Sequence, residues 1–160
     1  MDKNLLAVTI FPVDVNGSIA DPFESERDIA IITDNSVYRL KDELKIKVSF
    51  KNDLSKDIRI VNDNCDLPVF ILEKKIEEIW ERVYSSDGLG LPVHSISPAL
   101  LQSKETYNAE IYIYTPDIQD ENIEGEYRLS FDLLEKESSK RLQEKYLYSN
   151  VFKIVRKHEI

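Results

Sequence analysis

The chain has 160 residues, 42% of them hydrophobic and 32% charged, with a net charge of −9 at pH 7. That length gives one domain with room for a real core, and the scarcity of glycine excludes low-complexity and collagen-like chains. The acidic balance argues against a nucleic-acid footprint, which needs clustered Lys and Arg against phosphates, and against an electrostatic anchor on anionic lipid; a basic partner, a cation or plain solubility remains.

There is one cysteine, so no internal disulfide forms. No stretch reaches the about 18 apolar residues of a membrane span. The opening "MDKNLLAVTIFPVDVNG" has neither the basic region nor the apolar region of a signal peptide. The chain is read as cytoplasmic if Met1 is the native start, and as an exported protein without its leader if it is not.

Taken in order, the segments alternate with period two or form short runs rich in Val, Ile, Tyr and Phe. "LLAVTIFPV" (5–13) reads as a first strand and "DIAIIT" (28–33) as a second. "SVYRL" (36–40) follows a "TDN" turn. In "ELKIKVSFKN" (43–52), Leu44, Ile46, Val48 and Phe50 share one face, with Lys45, Lys47 and Ser49 on the other. "DIRIVN" (57–62) alternates after the turn "NDLSKD". "LPVFILEK" (67–74) is apolar, and Pro68 suits a strand start. "TYNAEIYIYTP" (106–116), "GEYRLSFDLLE" (125–135) and "YSNVFKIVRK" (148–157) complete the set. Short strands separated by turn-rich gaps predict an all-β antiparallel sandwich of seven to nine strands. The gaps are too short for the helices of a parallel α/β fold.

Two segments read ambiguously. In "NDNCDLPVFILEKKIEEIWERVY" (62–84), Leu72, Ile76, Ile79, Trp80 and Val83 recur at helical spacing, and periodicity alone predicts a helix over 72–84. "KESSKRLQEKYL" (136–147) reads equally as a short helix near 138–147 or as a long hairpin loop.

The order of these pieces resembles a bacterial immunoglobulin-like domain found in small exported proteins and lipoproteins. "SVYRLKDELKIKVSFKNDLSKDIRIVNDNC" is similar to that family's opening strands and Cys-containing loop. "VFILEKKIEEIWERVY" is similar to its Leu-Glu-Lys hairpin with a Trp on the return strand. "LLQSKETYNAEIYI", "GEYRLSF" and "SNVFKIV" resemble its later strands. The resemblance covers about residues 36–156, with 1–35 as an N-terminal extension and first strands of one domain spanning 1–160. It departs where relatives carry a second Cys, since "SSDGLGLPVHSISP" has none, and where a Pro-Gly turn is replaced by "QSK" before Glu105. It implies a hairpin at 69–84, with "KIEE" turning, and a cell-envelope location. A looser similarity, through "IWERVY" and the loop after it, runs to intracellular proteinase-inhibitor domains of the same sandwich type.

No motif identifies an enzymatic activity. Cys65 stands among Asn and Asp, and the neighbouring Asp63 and Asp66 disfavour the thiolate that a nucleophile requires. His94 and His158 are the only histidines, too few for a zinc site. No G-x-S-x-G, G-x-G-x-x-G or P-loop occurs. Asp63 and Asp66, and Asp14, Asn16 and Asp21, offer oxygens to calcium, but the second group lacks the EF-hand Gly and Glu, and Asx residues are the ordinary chemistry of turns. No metal and no cofactor is expected. Tyr127, two residues after Gly125, resembles a tyrosine corner, and Trp80 is read as a packing anchor between sheets.

The expected function is a non-enzymatic binding or accessory module for a protein or peptide partner, acting through loops or a sheet edge. The alternative is a proteinase inhibitor acting through the loop 85–98, with Leu91, Pro92 and His94 at its centre.

Overall fold

A computed structural model describes residues 28–63, 65–86 and 98–156. The expected strand at 5–13 lies outside them. Eleven strands follow in order: β1 (Ile29–Thr33), β2 (Val37–Arg39), β3 (Glu43–Asn52), β4 (Ile58–Ile60), β5 (Phe70–Ile76), β6 (Ile79–Ser85), β7 (Ala99–Leu101), β8 (Thr106–Tyr114), β9 (Gly125–Phe131), β10 (Leu133–Glu135) and β11 (Phe152–Val155). The fold is all-β. The strands outnumber the seven to nine expected because β7 is only three residues long and because Asp132 divides "GEYRLSFDLLE" into β9 and β10.

The strands form three sheets with the orders β1-β3-β8, β10-β4-β7 and β2-β11-β9-β5-β6. All pairs are antiparallel except β2 with β11, which run parallel in the register Val37↔Lys153. The expected antiparallel arrangement holds for every other pair. β2 and β11 lie far apart in sequence, so no hairpin fixes their direction.

The period-two pattern places the core. Along β3, Leu44, Ile46, Val48 and Phe50 are buried while Glu43, Lys45, Lys47 and Lys51 are exposed. β9 buries Tyr127, Leu129 and Phe131. The rings of Phe50 and Phe131 meet edge to face at 4.8 Å, and Phe70 lies 6.3 Å from Phe131. These contacts join the inner face of β3 to that of β9 and β5. Each fully buried Phe adds about 1.5–3 kcal/mol over an exposed one.

Residues 70–85 form a hairpin rather than a helix, with β5 paired to β6 from Ile76↔Ile79 to Ile71↔Ser85. Between Leu72↔Tyr84 and Glu73↔Arg82 the register shifts, leaving Val83 as the extra residue of a bulge. That extra residue lets Val83 reach the core although Trp80 does not. The helical spacing of the apolar positions is a by-product of two strands in different phases. The turn is made by Glu77 and Glu78, both at positive φ (50° and 68°), the geometry of a two-residue hairpin turn usually built from Asn-Gly.

Residues 136–143 form a loop, followed by a 3-10 turn over Glu144–Tyr146. Among the described residues, no helix is long and apolar enough to cross a membrane.

Candidate functional site

Three places bring together the residues of interest: a buried corner, a stacked cluster on a sheet face, and an open strand edge.

The corner is built on Gly125. Its φ is +152°, and an added Cβ would stand 2.7 Å from Lys74 Cε. Alternation along β5 turns Lys74 inward beside Leu72, and the residue is only 5% exposed. Its ammonium donates to Asp120 Oδ2 at 3.0 Å and to the carbonyl of Asn122, and it lies 5.8 Å from the Tyr127 ring centroid. Tyr127 is fully buried, and its hydroxyl donates to the carbonyl of Ile123. Burial pushes its phenol far up, reinforced by the charge of Asp120. The hydrogen bond from Lys74 holds the Asp120 carboxyl below the ordinary range, helped by the Asn122 N–H. The corner is a structural clasp for the segment 117–124. The sequence signal for Lys74 is the inward phase of β5, shared with Leu72.

The stacked cluster lies on the other face of the five-stranded sheet. Trp80 is half-buried there and takes no part in the core between sheets. Opposite Lys75 in the β5–β6 register, it is turned outward by the strand's phase. The Arg128 guanidinium carbon sits 4.5 Å from the Trp80 ring centroid and 3.7 Å from that of Tyr148. Arg128 Nε donates to Glu73 Oε1 at 2.6 Å. Glu73 is the register partner of Arg128 on one side and of Arg82 on the other, so Arg82, Glu73 and Arg128 form one row across three strands. Burial raises the Tyr148 phenol, while the Arg128 charge opposes the rise. The exposed phase of β9, between Tyr127 and Leu129, is the sequence signal for Arg128. Nothing local in the sequence joins Tyr148 to it, since it arrives through an isolated bridge to Ser130.

The open edge is β8. The Lys47 carbonyl accepts from the Asp34 N–H at 2.9 Å and so faces β1. Its β8 partner is Glu110. In an antiparallel ladder, bonding pairs alternate, so Thr106, Asn108, Glu110 and Tyr112 direct their N–H and C=O groups away from β3. No described strand pairs with that side. Tyr112 and Tyr114 are exposed on the strand. Beside it opens a pocket of about 120 Å³ lined by Leu67, Pro68, Phe70, Tyr84, Ile111 and Tyr112, among others. Burial raises the Tyr84 phenol, against a hydrogen bond from the Tyr114 backbone.

Two other edges, β1 and β6, carry contacts from loops. On β1, the Ile31 carbonyl accepts from the Asn150 N–H at 3.2 Å, and Asn150 Oδ1 accepts from the Thr33 N–H at 2.8 Å. On β6, the Val83 carbonyl accepts from the Gln119 N–H at 2.8 Å.

Asp63 is committed to its own turn: Oδ1 accepts from the N–H groups of Cys65 (2.8 Å) and Leu67 (3.0 Å). Asp66 adopts φ +63° in that turn, and Cys65 is exposed at its tip. The Asp63 oxygen offered to calcium is thus an Asx-turn acceptor. Among the described residues, no three His, Cys, Asp or Glu side chains group as metal ligands. Asp14, Asn16, Asp21, Leu91, Pro92, His94 and His158 lie outside the described residues.

No protein-family model and no curated protein matches the chain. Solved structures are similar only distantly. A Pseudomonas fluorescens alkylpurine DNA glycosylase bound to DNA containing an abasic-site analogue is 10% identical, with a TM-score of 0.38; the match covers 81% of this chain and 31% of that one. The structural-genomics target SoR45 is 8% identical, covers 82% and 86%, and scores 0.40. A β-glucosidase from Erythrobacter marinus is 12% identical, covers 79% and 15%, and scores 0.36. This chain therefore spans less than a third of the glycosylase. At these scores the likenesses carry no argument about function.

Proposed function

We propose that this chain is a non-enzymatic binding module, an immunoglobulin-like sandwich that receives an extended segment of a protein or peptide partner along β8. The carrying observation is the outward backbone of Thr106, Asn108, Glu110 and Tyr112 on a nine-residue strand, with no described strand against it. Strand addition draws its affinity from main-chain hydrogen bonds and its selectivity from pockets that take alternate side chains. The pocket between Phe70, Tyr84 and Ile111 sits beside this edge and suits one apolar side chain.

The test uses a proline that the fold tolerates. At an outward position of an edge strand, Pro removes no ladder hydrogen bond. Glu110→Pro and Asn108→Pro are made in parallel, each checked for folding by circular dichroism. Peptides are selected from a displayed random library on the wild-type protein. The expected result is a set of peptides with an apolar residue at alternate positions, whose binding both folded variants lose. Peptides that bind the proline variants as tightly as the wild type would overturn strand addition, as would a selection that enriches none.

A further inference from the structure

We propose that the guanidinium end of Arg128, held between Trp80 and Tyr148, is a docking point for a carboxylate, an Asp or Glu side chain of an acidic peptide segment. The site lies on the outer face of the five-stranded sheet, away from the β8 edge.

Three observations converge. The first is preorganisation. The rings of Trp80 and Tyr148 lie 4.5 and 3.7 Å from the guanidinium carbon, and Glu73 fixes Nε at 2.6 Å. Less of the arginine's rotamer entropy then remains to be lost on binding.

The second is the set of donors. A guanidinium carries five N–H groups, and Glu73 takes the one on Nε. The four on the terminal nitrogens meet no acceptor among the described residues, and 21% of the side chain stays exposed. Two parallel N–H groups match the two oxygens of a carboxylate.

The third is charge. Across β6, β5 and β9 the row reads Arg82, Glu73, Arg128. Arg82 is exposed. The row carries one cation more than it has carboxylates, on a chain whose net charge is −9. An incoming carboxylate completes it. Trp, Tyr and Arg are also the residues that dominate binding energy at protein interfaces.

Trp80 is the only tryptophan, so its fluorescence reports on the site directly. The full chain is titrated at about 0.15 M salt, where long-range repulsion from its net charge is screened. The probe is a Gly-Ser hexapeptide carrying two adjacent glutamates; its controls are the same peptide with glutamines and inorganic phosphate. The expected result is a saturable change in Trp80 emission with the glutamate peptide and none with the glutamine peptide. Arg128→Lys keeps the charge but loses the planar fork, and it should weaken binding by about tenfold. Arg82→Gln, which leaves the stack intact, should weaken it severalfold. Circular dichroism checks that both variants fold. No saturable change in the wild type would overturn the proposal, and so would equal titration of Arg128→Lys. Phosphate acting at the same concentration would overturn the carboxylate assignment.

Discussion

Gly125 and Lys74 occupy each other's space. A side chain at position 125 would begin 2.7 Å from Lys74 Cε, on a backbone at φ +152° that L-residues rarely adopt. Gly125→Ala should therefore cost about 2–3 kcal/mol, read as a lower midpoint in urea unfolding with an unchanged slope. The lysine itself is held in the core because its ammonium meets Asp120 and the Asn122 carbonyl. Lys74 keeps the Asp120 carboxyl below its ordinary range. The folded protein thus binds fewer protons than the unfolded chain in that region. The contribution is present in full above the ordinary aspartate pKa of about 3.9 and fades as the pH falls through the lowered value. Asp120→Asn should be less stable than wild type at pH 7, and the two should converge in acid. Parallel stability curves from pH 7 down to acid would refute this.

At the scale of elements, the hairpin turn is the place where the chain departs most from ordinary turn chemistry. Glu77 and Glu78 both hold positive φ, which costs an L-residue about 1–2 kcal/mol. Replacing them by Asn and Gly should raise stability by about 1 kcal/mol, seen as a higher thermal midpoint. The Lys75–Glu78 ion pair lost in the exchange is exposed and contributes little. This turn also shows where the sequence stops being legible. Alternation marked the buried faces of β3, β8 and β9, because a half-buried strand must alternate. It misled at 72–84, because a bulge at Val83 adds one residue and imitates a helical period. Trp80, Gly125 and Tyr127 stand out as residue types. Arg128, Tyr148 and Lys74 matter through pairings between distant segments, and a charged residue in an alternating strand ordinarily reads as a solvent-facing one.

The whole molecule is closed by β11. This strand lies between β2 and β9, and so joins residues near 37 to residues near 127. Phe152 is 1% exposed and packs its ring against Tyr38 at 5.4 Å and Tyr127 at 6.2 Å. Phe152→Ala should cost about 3–5 kcal/mol, a large part of the total stability of a domain this size. Its unfolding should stay cooperative, with circular dichroism and Trp80 fluorescence falling together. Separate transitions would mean that the five-stranded sheet melts apart from the rest.

Asn150 has a consequence for how many chains can come together. Its backbone N–H donates to the Ile31 carbonyl and its side-chain Oδ1 accepts from the Thr33 N–H, both on the outside of β1. The sheet β1-β3-β8 thus has one side partly capped, at β1, and one that meets no described strand, at β8. A sheet with two such sides recruits a copy on each and polymerises without limit. With one, the first strand to arrive exhausts it, and growth stops at a pair. Asn150→Ala would free only the Thr33 N–H, because the backbone bond to Ile31 stays; even so, it should make pairing along β1 easier, seen as concentration-dependent self-association in sedimentation.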